Sequence, residues 1–387
     1  MTTTNIRNKF VERYGHEPLL VRSPGRINLI GEHTDYNSGF VMPAAIDREI
    51  IFAVGFSKTT TSSLYSLKHE QTVQFDVANP VRLEEPRWPN YLLGVARQLV
   101  DKGYPLKPFD CIVDGDVPEG AGLSSSAALE CGFVFALNHL HSLAIPKLEM
   151  IHMAQWAEHN FVGVKCGIMD QFASMMGAAG NAFVLDCRSL SYSYFPFALD
   201  EYTIVLCDSM VKHSLADSAY NERREECEMG ISILRRHYPD VTSLRDVTLE
   251  MLERHRREFP GKVHRRCGYV VRENKRVLAA ADDLRKGDLT AFGNRLYASH
   301  DGLSNDYEVS CAELDFLVAG ARAFDGVLGA RMMGGGFGGC TINIVQKTVV
   351  ESFISTLSMK YKESFQFEMN SYEVAVQDGT SIISDPS

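Results

Sequence analysis

The chain has 387 residues, of which 45% are hydrophobic and 23% charged, a composition typical of a soluble globular protein with one large or two ordinary domains. The formal net charge of −10 disfavours non-specific nucleic-acid binding. No apolar run reaches the roughly 18 residues of a membrane span, and the polar segment from Met1 to Tyr14 has no signal-peptide core. Nine scattered cysteines without a Cys-x-x-Cys pair favour reduced thiols in a cytosolic protein.

The predicted elements form two successive sets of strands and helices. In chain order, the patterns predict a helix at 5–14, strands at 19–22, 49–56 and 109–117, helices at 123–140, 148–161 and from 169, strands at 183–186 and 203–207, a mostly helical segment at 219–284 and a strand at 341–345. This order indicates an α+β fold with two lobes. We place the boundary after residue 195, which gives lobes of residues 1–195 and 196–387.

Polar groups crowd the segment 26–37, which follows a turn signal at Pro24-Gly25. The segment contains Arg26, Asn28, Glu32, His33, Asp35 and Asn37. Such a mixture suits a polyhydroxylated ligand, because each sugar hydroxyl can both donate and accept a hydrogen bond. Arg26 offers a fixed cation that can face a transferring phosphoryl group. A polar surface loop explains the same segment equally well.

Residues 118–130 combine a glycine-containing turn with three serines and a helix-forming run. Ser124, Ser125 and Ser126 can cap the helix, and the amides of a helix start suit phosphate. No Gly-Lys-Ser/Thr follows, so the segment is not a Walker loop. It predicts a nucleotide-phosphate cradle in which Ser126 is a candidate magnesium ligand. The alternative is an ordinary capped helix.

Two further segments are candidates for chemistry. Asp170 lies among apolar residues after a glycine turn and can orient or deprotonate an attacking hydroxyl, although an Asp there commonly caps a helix. Glu158 can reach a metal from the preceding helix, unless it faces solvent. The glycines of 334–339 require a close ligand or tight packing. The basic runs at 254–257 and 264–266 lie in a segment that also carries many acidic residues, so we expect a solvated helix face there rather than a nucleic-acid site.

Together these segments resemble the GHMP small-molecule kinase superfamily and, within it, the galactokinase family. The motifs that carry the resemblance occur in order from about residue 22 to 340 and are Gly25-Arg-Ile-Asn-Leu-Ile-Gly-Glu-His-Thr-Asp-Tyr36, the serine loop, 166–172 and 334–339. The resemblance implies a two-lobed GHMP kinase fold with the active site between the lobes. It also implies ATP- and magnesium-dependent phosphorylation of α-D-galactose at the 1-hydroxyl, giving galactose 1-phosphate and ADP.

The resemblance assigns the site residues as follows. The sugar contacts would be Glu32, His33, Asp35, Gly167, Asp170 and Tyr220. Arg26 and Asp170 would flank the anomeric hydroxyl, with Asp170 as base or as orienting carboxylate. Ser126 and Glu158 would hold magnesium. Trp88 would lie near the adenine, and the phosphates would be wrapped by Gly120, Ala121, Gly122, Leu123, Ser124, Ser125 and Ser126.

The sequence departs from the family pattern in the third motif, and two alternative functions stay open. The third motif of the family usually reads Met-Thr-Gly-Gly-Gly, whereas Met333 stands here at the threonine position, which puts one polar contact near the phosphates in doubt. Glu119 in the serine loop is expected to point to solvent. A sibling sugar-1-kinase acting on N-acetylgalactosamine or another galactose-like sugar is the alternative enzyme, and a non-catalytic galactose and ATP sensor is the alternative of another class. We expect a cytoplasmic monomer that binds a sugar and ATP, without nucleic-acid or membrane partners.

Overall fold

A computed structural model describes residues 3–118, 120–211 and 216–384, and for residues 216 and 217 it describes the backbone only. The expected orientation of Glu119 lies outside the described residues. Within them the helices are α1 (Thr3–Tyr14), α2 (Pro89–Asp101), α3 (Ser125–Leu140), α4 (Lys147–Ala157), α5 (Met169–Met176), α6 (Ala216–Arg235), α7 (Leu249–Arg254), α8 (Gly261–Arg285), α9 (Leu289–Gly302), α10 (Ala312–Arg322) and α11 (Val350–Phe365). The strands are β1 (Leu19–Asn28), β2 (Phe40–Val41), β3 (Pro43–Phe56), β4 (Ser62–Ser66), β5 (Gln71–Phe75), β6 (Phe109–Gly115), β7 (Asn181–Asp186), β8 (Tyr192–Pro196), β9 (Tyr202–Asp208), β10 (Val327–Met332), β11 (Cys340–Gln346), β12 (Asn370–Val374) and β13 (Ser381–Ile382).

The first sheet has six strands in the order β13-β1-β3-β6-β4-β5. Only the β4–β6 pair among these is parallel. The two faces of the sheet are covered differently, since α3 packs on β1 and β3 while α1 packs on β3 and β6. Under α1 lies a small apolar cluster that includes Ile6, Phe10 and Ile112. Buried residues therefore occur in long runs along β1, β3 and β6 rather than in strict alternation with exposed ones.

The second sheet has four antiparallel strands in the order β10-β11-β9-β12, with α9 and α10 packed on β10. A third sheet joins β2, β7 and β8. The largest apolar cluster contains Phe52 of the first sheet and Ile342 of the second, so one core connects the sheets. The mixture of helices with three sheets confirms the predicted α+β class.

The predicted division after residue 195 stays a prediction. The second sheet begins with β9, just beyond that position, but β13 returns to the first sheet and pairs with β1 through Val21 and Ile382. The end of the chain therefore completes the N-terminal sheet. None of the described helices is both long and apolar enough to cross a membrane.

Two local predictions were wrong. Pro24-Gly25 is not a turn: it lies inside β1, where the register with β3 shifts between Pro24 and Arg26. Arg266 does not lie on a solvated face, because it is buried and paired with Glu226 and Glu308. The other predicted helices and strands occur with shifted ends; for example, the strand predicted at 49–56 begins at Pro43.

Candidate active site

A cleft of about 350 Å³ opens where the N-terminal signature, the segment around Asp170 and the third motif meet. The sequence separates these parts by more than a hundred residues, but the fold brings them to one surface. All the predicted sugar contacts, the predicted catalytic pair and one predicted metal ligand line the cleft: Arg26, Glu32, His33, Asp35, Glu158, Gly167, Asp170 and Tyr220.

Arg26 and Asp170 form a bidentate ion pair at the base of the cleft. The Nε and Nη2 atoms of Arg26 donate to the two carboxylate oxygens at 2.8 and 2.9 Å. The Ser124 hydroxyl donates to the same carboxylate, and Arg26 also donates to the Gly122 carbonyl. Attraction to Asp170 and Glu32 outweighs burial and raises the pKa of Arg26, so its charge is permanent.

The irregularity in β1 explains how Arg26 reaches the serine loop. The backbone N–H of Arg26 donates to the Leu123 carbonyl at 3.1 Å. A Cβ on Gly25 would lie only 2.9 Å from that same carbonyl oxygen, so the strand and the loop approach closely where the side chain is missing. The strand bulge thus docks the signature against the serine loop.

Ser124 does not act as a helix cap, contrary to the prediction. Its φ is 56°, in the left-handed region, and its side chain makes no capping hydrogen bond. The hydroxyl is turned toward Asp170 instead. Asp170 is likewise not a cap, because it lies in the first turn of α5 after Ile168 and pairs with Arg26. Both side chains therefore make contacts between distant segments rather than capping helix ends.

Glu32 connects the signature to the C-terminal half of the chain. Its Oε1 accepts from the Gly334 amide at 2.8 Å and from Arg331 at 3.1 Å, while its Oε2 accepts from Asn28 at 2.8 Å. Arg331 is fully buried and also donates to the Leu29 carbonyl at 2.7 Å. A buried carboxylate with this many donors is compensated and held in a fixed orientation.

His33 is neutral and fixed by protein contacts. Burial, with repulsion from Arg223 and Arg331, lowers its pKa to about 3. Nε2 lies 3.2 Å from the Gly335 carbonyl, which requires the proton on that nitrogen, and Nδ1 lies 2.7 Å from the Tyr36 hydroxyl. Because both nitrogens have protein partners, the ring shapes the cleft and braces the third motif.

Asp35 and Gly167 are in steric contact. A Cβ on Gly167 would lie 1.7 Å from Asp35 Oδ2, so only glycine fits at this position. Burial and repulsion from Asp170 raise the pKa of Asp35 to about 7. The close approach of the glycine backbone leaves room for a carboxylate that points into the cleft.

Glu130, Glu158 and Asp170 lie close to one another near Ser126, and Glu130 was not predicted. Gln171 Nε2 donates to Glu158 at 2.6 Å and to Glu130 at 3.2 Å, and Ser126 hydrogen-bonds Glu158. Burial and repulsion from Asp170 raise the pKa of Glu158 to about 7. Burial and Glu158 raise the pKa of Glu130 well above its ordinary value. Glu158 is buried, so the alternative of a solvated helix face was wrong.

A second cavity of about 320 Å³ adjoins the start of α3. Trp88 lines it and stacks on His69 with a centroid distance of 5.9 Å and an interplanar angle of 20°. Of the predicted phosphate-loop residues, Gly120, Ser125 and Ser126 line this cavity. The side chains of Ala121 and Leu123 are buried in the core, which leaves only their backbone for a ligand.

The third motif packs tightly rather than forming a free loop. A Cβ on Gly336, whose φ is +83°, would lie 2.2 Å from the Val309 carbonyl. The side chain of Met333 is buried in the main core and does not line the first cleft. The Met333 thioether is therefore a packing group.

Comparison with known proteins decides the family. The galactokinase galactose-binding signature matches residues 8–56, and the N- and C-terminal GHMP kinase domain models match 90–178 and 280–363. A galactokinase of Roseiflexus sp. is 39% identical, with 100% of this chain and 98% of the relative covered. The chain belongs to the galactokinase family. A galactokinase of Chloroflexus aurantiacus is 44% identical over 90% of this chain and 89% of its own length.

Solved structures agree with this family assignment. Lactococcus lactis galactokinase in complex with galactose superposes with a TM-score of 0.94 at 35% identity, covering 98% of this chain and 99% of that one. A mevalonate kinase matches with a TM-score of 0.67 at 15% identity over 93% of this chain and 99% of its own, which shows a shared fold alone. The predicted GHMP kinase fold is confirmed.

The sequence reasoning missed several residues that position this galactokinase-family site. Glu130 carried a usable signal, because it follows Ser126 by four positions on α3 and so shares its helix face. It is also a charged residue within an apolar helix. Gln171 adjoins Asp170 in a motif already selected. Nothing in the sequence marked Arg331 as a residue of the site except its position just before the third motif.

Proposed function

We propose that this member of the galactokinase family transfers the γ-phosphoryl group of ATP to the 1-hydroxyl of α-D-galactose, giving galactose 1-phosphate and ADP. The observation that carries the proposal is the convergence of Arg26 and Asp170 with the galactose-binding signature in one cleft, where Asp170 also accepts from Ser124 of the serine loop. The L. lactis galactokinase complexed with galactose supports the choice of sugar by its likeness over nearly the whole chain.

The reacting hydroxyl would lie beside Asp170. Both oxygens of this carboxylate accept from Arg26, and one of them also accepts from Ser124. This arrangement fixes the direction of the carboxylate. Because phosphoryl transfer depends mainly on positioning and charge neutralisation, we propose that Asp170 first orients the hydroxyl and takes its proton late in the reaction. Arg26 would also balance charge developing on the transferred group.

The sugar would be bound by groups of the signature and its neighbours. We propose that Glu32, Asp35 and Tyr220 contact sugar hydroxyls, while His33 contributes a ring surface and Gly167 a close backbone approach. Asp35 supports this role because its carboxylate lines the cleft. Tyr220 packs its ring 5.4 Å from that of His33.

The nucleotide would occupy the neighbouring cavity, with the adenine near Trp88 and the phosphates along 120–126. The first amides of α3 have no intrahelical partners, as at any helix start, and suit phosphate oxygens. Trp88 and His69, whose rings stack on each other, are among the residues that line that cavity. The side-chain burial of Ala121 and Leu123 fits contacts made through their backbone.

A magnesium ion fits the oxygen groups beside the serine loop. The Ser126 hydroxyl and the Glu158 carboxylate are oxygen ligands of the kind Mg²⁺ prefers. Glu130 adds a second buried carboxylate whose Oε1 has no hydrogen-bond partner among the described residues, so a cation would relieve this excess of acidic groups. When bound, the ion would neutralise charge on the phosphates. We propose Ser126 and Glu158 as its ligands and Gln171 as the residue that orients Glu158.

The decisive test is product formation over a panel of sugars. The purified protein with ATP and Mg²⁺ should release ADP with galactose, and phosphorus NMR should identify galactose 1-phosphate. Asp170→Ala should reduce turnover by at least about a hundredfold while sugar binding persists. Strong activity on N-acetylgalactosamine with none on galactose would reassign the substrate, and binding of both ligands without turnover in the parent protein would indicate a sensor.

We further propose that the enzyme works in the cytoplasm as a monomer. The nine cysteines form no disulfide in the structure, which fits a reducing compartment. Light scattering coupled to size exclusion should give the mass of one chain, and a concentration-independent dimer would contradict the monomer.

A further inference from the structure

A cluster of two histidines and a glutamate lies outside the catalytic cleft, in the helical part of the chain. His237 follows the end of α6, His255 follows α7, and Glu258 closes the short turn that leads toward α8. The imidazole rings of His237 and His255 stack with centroids 3.8 Å apart. Two chain segments thus place their polar side chains in contact, one with His237 and the other with His255 and Glu258.

Glu258 accepts from both rings. Its Oε2 lies 2.9 Å from His237 Nε2, and its Oε1 lies 2.8 Å from His255 Nδ1. One ligand atom from each of the three side chains lies within 4.8 Å of the other two.

We propose that His237, His255 and Glu258 bind a divalent transition-metal ion of the zinc class. Two imidazole nitrogens and one carboxylate form a ligand set found in zinc sites with an open position for water. Tetrahedral ligands at zinc lie about 3.3 Å apart for bonds of roughly 2.0–2.1 Å, so small side-chain rotations suffice. The imidazoles select this class over Mg²⁺ and Ca²⁺, which prefer oxygen ligands.

The residues around this cluster are compatible with a bound cation, and the cation would link two parts of the chain. Two nearby arginines have acidic partners, with Arg254 at 2.9 Å from Glu250 and Arg256 at 3.6 Å from Glu253. His255 has a side-chain exposure of only 14%, whereas His237 retains 36%, so one ligand is held by packing while the site stays reachable. A bound metal would join the end of α6 to the turn before α8.

Zinc titration of the full chain in excess MgCl₂ tests the proposal. Calorimetry should show one equivalent of Zn²⁺ that is lost in both His237→Ala and His255→Ala. That equivalent should remain in His152→Ala, which removes an exposed histidine on α4. Co²⁺ should give the visible absorption of a tetrahedral site in the parent and the control, and this band should disappear in the two variants.

Comparison with the parent separates this site from metal bound elsewhere. Cysteines and the carboxylates of the catalytic cleft can also bind Zn²⁺. The amount of Zn²⁺ that they bind is the same in the parent and in the variants. Unchanged stoichiometry in His237→Ala and His255→Ala, with circular dichroism like that of the parent, would overturn the proposal. Displacement of the cobalt band by Mg²⁺ alone would overturn it as well.

Discussion

Gly167→Ala should impair galactose recognition through Asp35 without disturbing ATP. An added Cβ would lie 1.7 Å from Asp35 Oδ2 and 2.3 Å from its Cγ. The carboxylate must therefore retreat by more than about 1 Å to reach an ordinary contact, a displacement large enough to lose a sugar hydrogen bond. Gly167 has no left-handed φ, so the effect is steric rather than a matter of backbone strain.

The size of the effect follows from the bond that is lost. A hydrogen bond to a charged group contributes about 1.5–3 kcal/mol, which corresponds to roughly a tenfold to hundredfold fall in kcat/KM for galactose. The KM for ATP should stay unchanged, because the three atoms nearest to the added Cβ all belong to Asp35. Initial rates of ADP release over a matrix of both substrates would measure the two effects separately.

A double-mutant cycle sharpens this test. If Gly167→Ala acts by displacing Asp35, adding it to Asp35→Ala should cost almost nothing more. Gly261→Ala serves as the control, because a Cβ at that glycine meets open space. Wild-type kcat/KM in a folded Gly167→Ala protein, or full additivity with Asp35→Ala, would refute the reasoning.

Three further predictions concern the same cleft. Arg26→Lys keeps a cation but loses the bidentate pair with Asp170, so kcat should fall by about a hundredfold, and near-normal turnover would argue against the pair. Asp35 has a folded-state pKa of about 7 against an ordinary 3.8, so its buried ionisation destabilises the protein as pH rises through 7; Asp35→Asn should raise Tm more at pH 8 than at pH 5, and an equal shift at both would contradict this. Gly336→Ala, with φ of +83° and a Cβ 2.2 Å from the Val309 carbonyl, should destabilise by more than about 1 kcal/mol in urea titration, and an unchanged midpoint would show that the turn can relax.

Sequence patterns predicted the parts of this site that are encoded locally. The run of polar residues after Arg26, the serine loop and the glycine-rich third motif are each compact in sequence, and each meets the cleft or the adjoining cavity. Their helices and strands were also predicted, because buried elements such as β6 and α3 are rich in apolar residues. Element ends were less well predicted, since tertiary contacts rather than propensity set them.

The wrong predictions for Pro24-Gly25 and for Ser124 share one physical cause. Pro24-Gly25 and Ser124 have the residue types of a turn and of a helix cap, and in isolation those uses are favourable. In the fold, Gly25 lets β1 approach Leu123, and Ser124 turns its hydroxyl to Asp170. Each residue forgoes its usual local hydrogen bond for a long-range contact, which no local pattern can reveal.

The largest omission from the sequence reasoning was the dependence of the sugar signature on the C-terminal half. Glu32 accepts from Arg331 and from the Gly334 amide, and His33 donates to the Gly335 carbonyl. These contacts span about 300 positions of the chain, so the glycine-rich motif braces the signature as well as packing on its own lobe. The orientation of the galactose-binding groups is therefore coupled to how the two halves pack. A change in the third motif that touches no ligand can alter sugar affinity through Glu32.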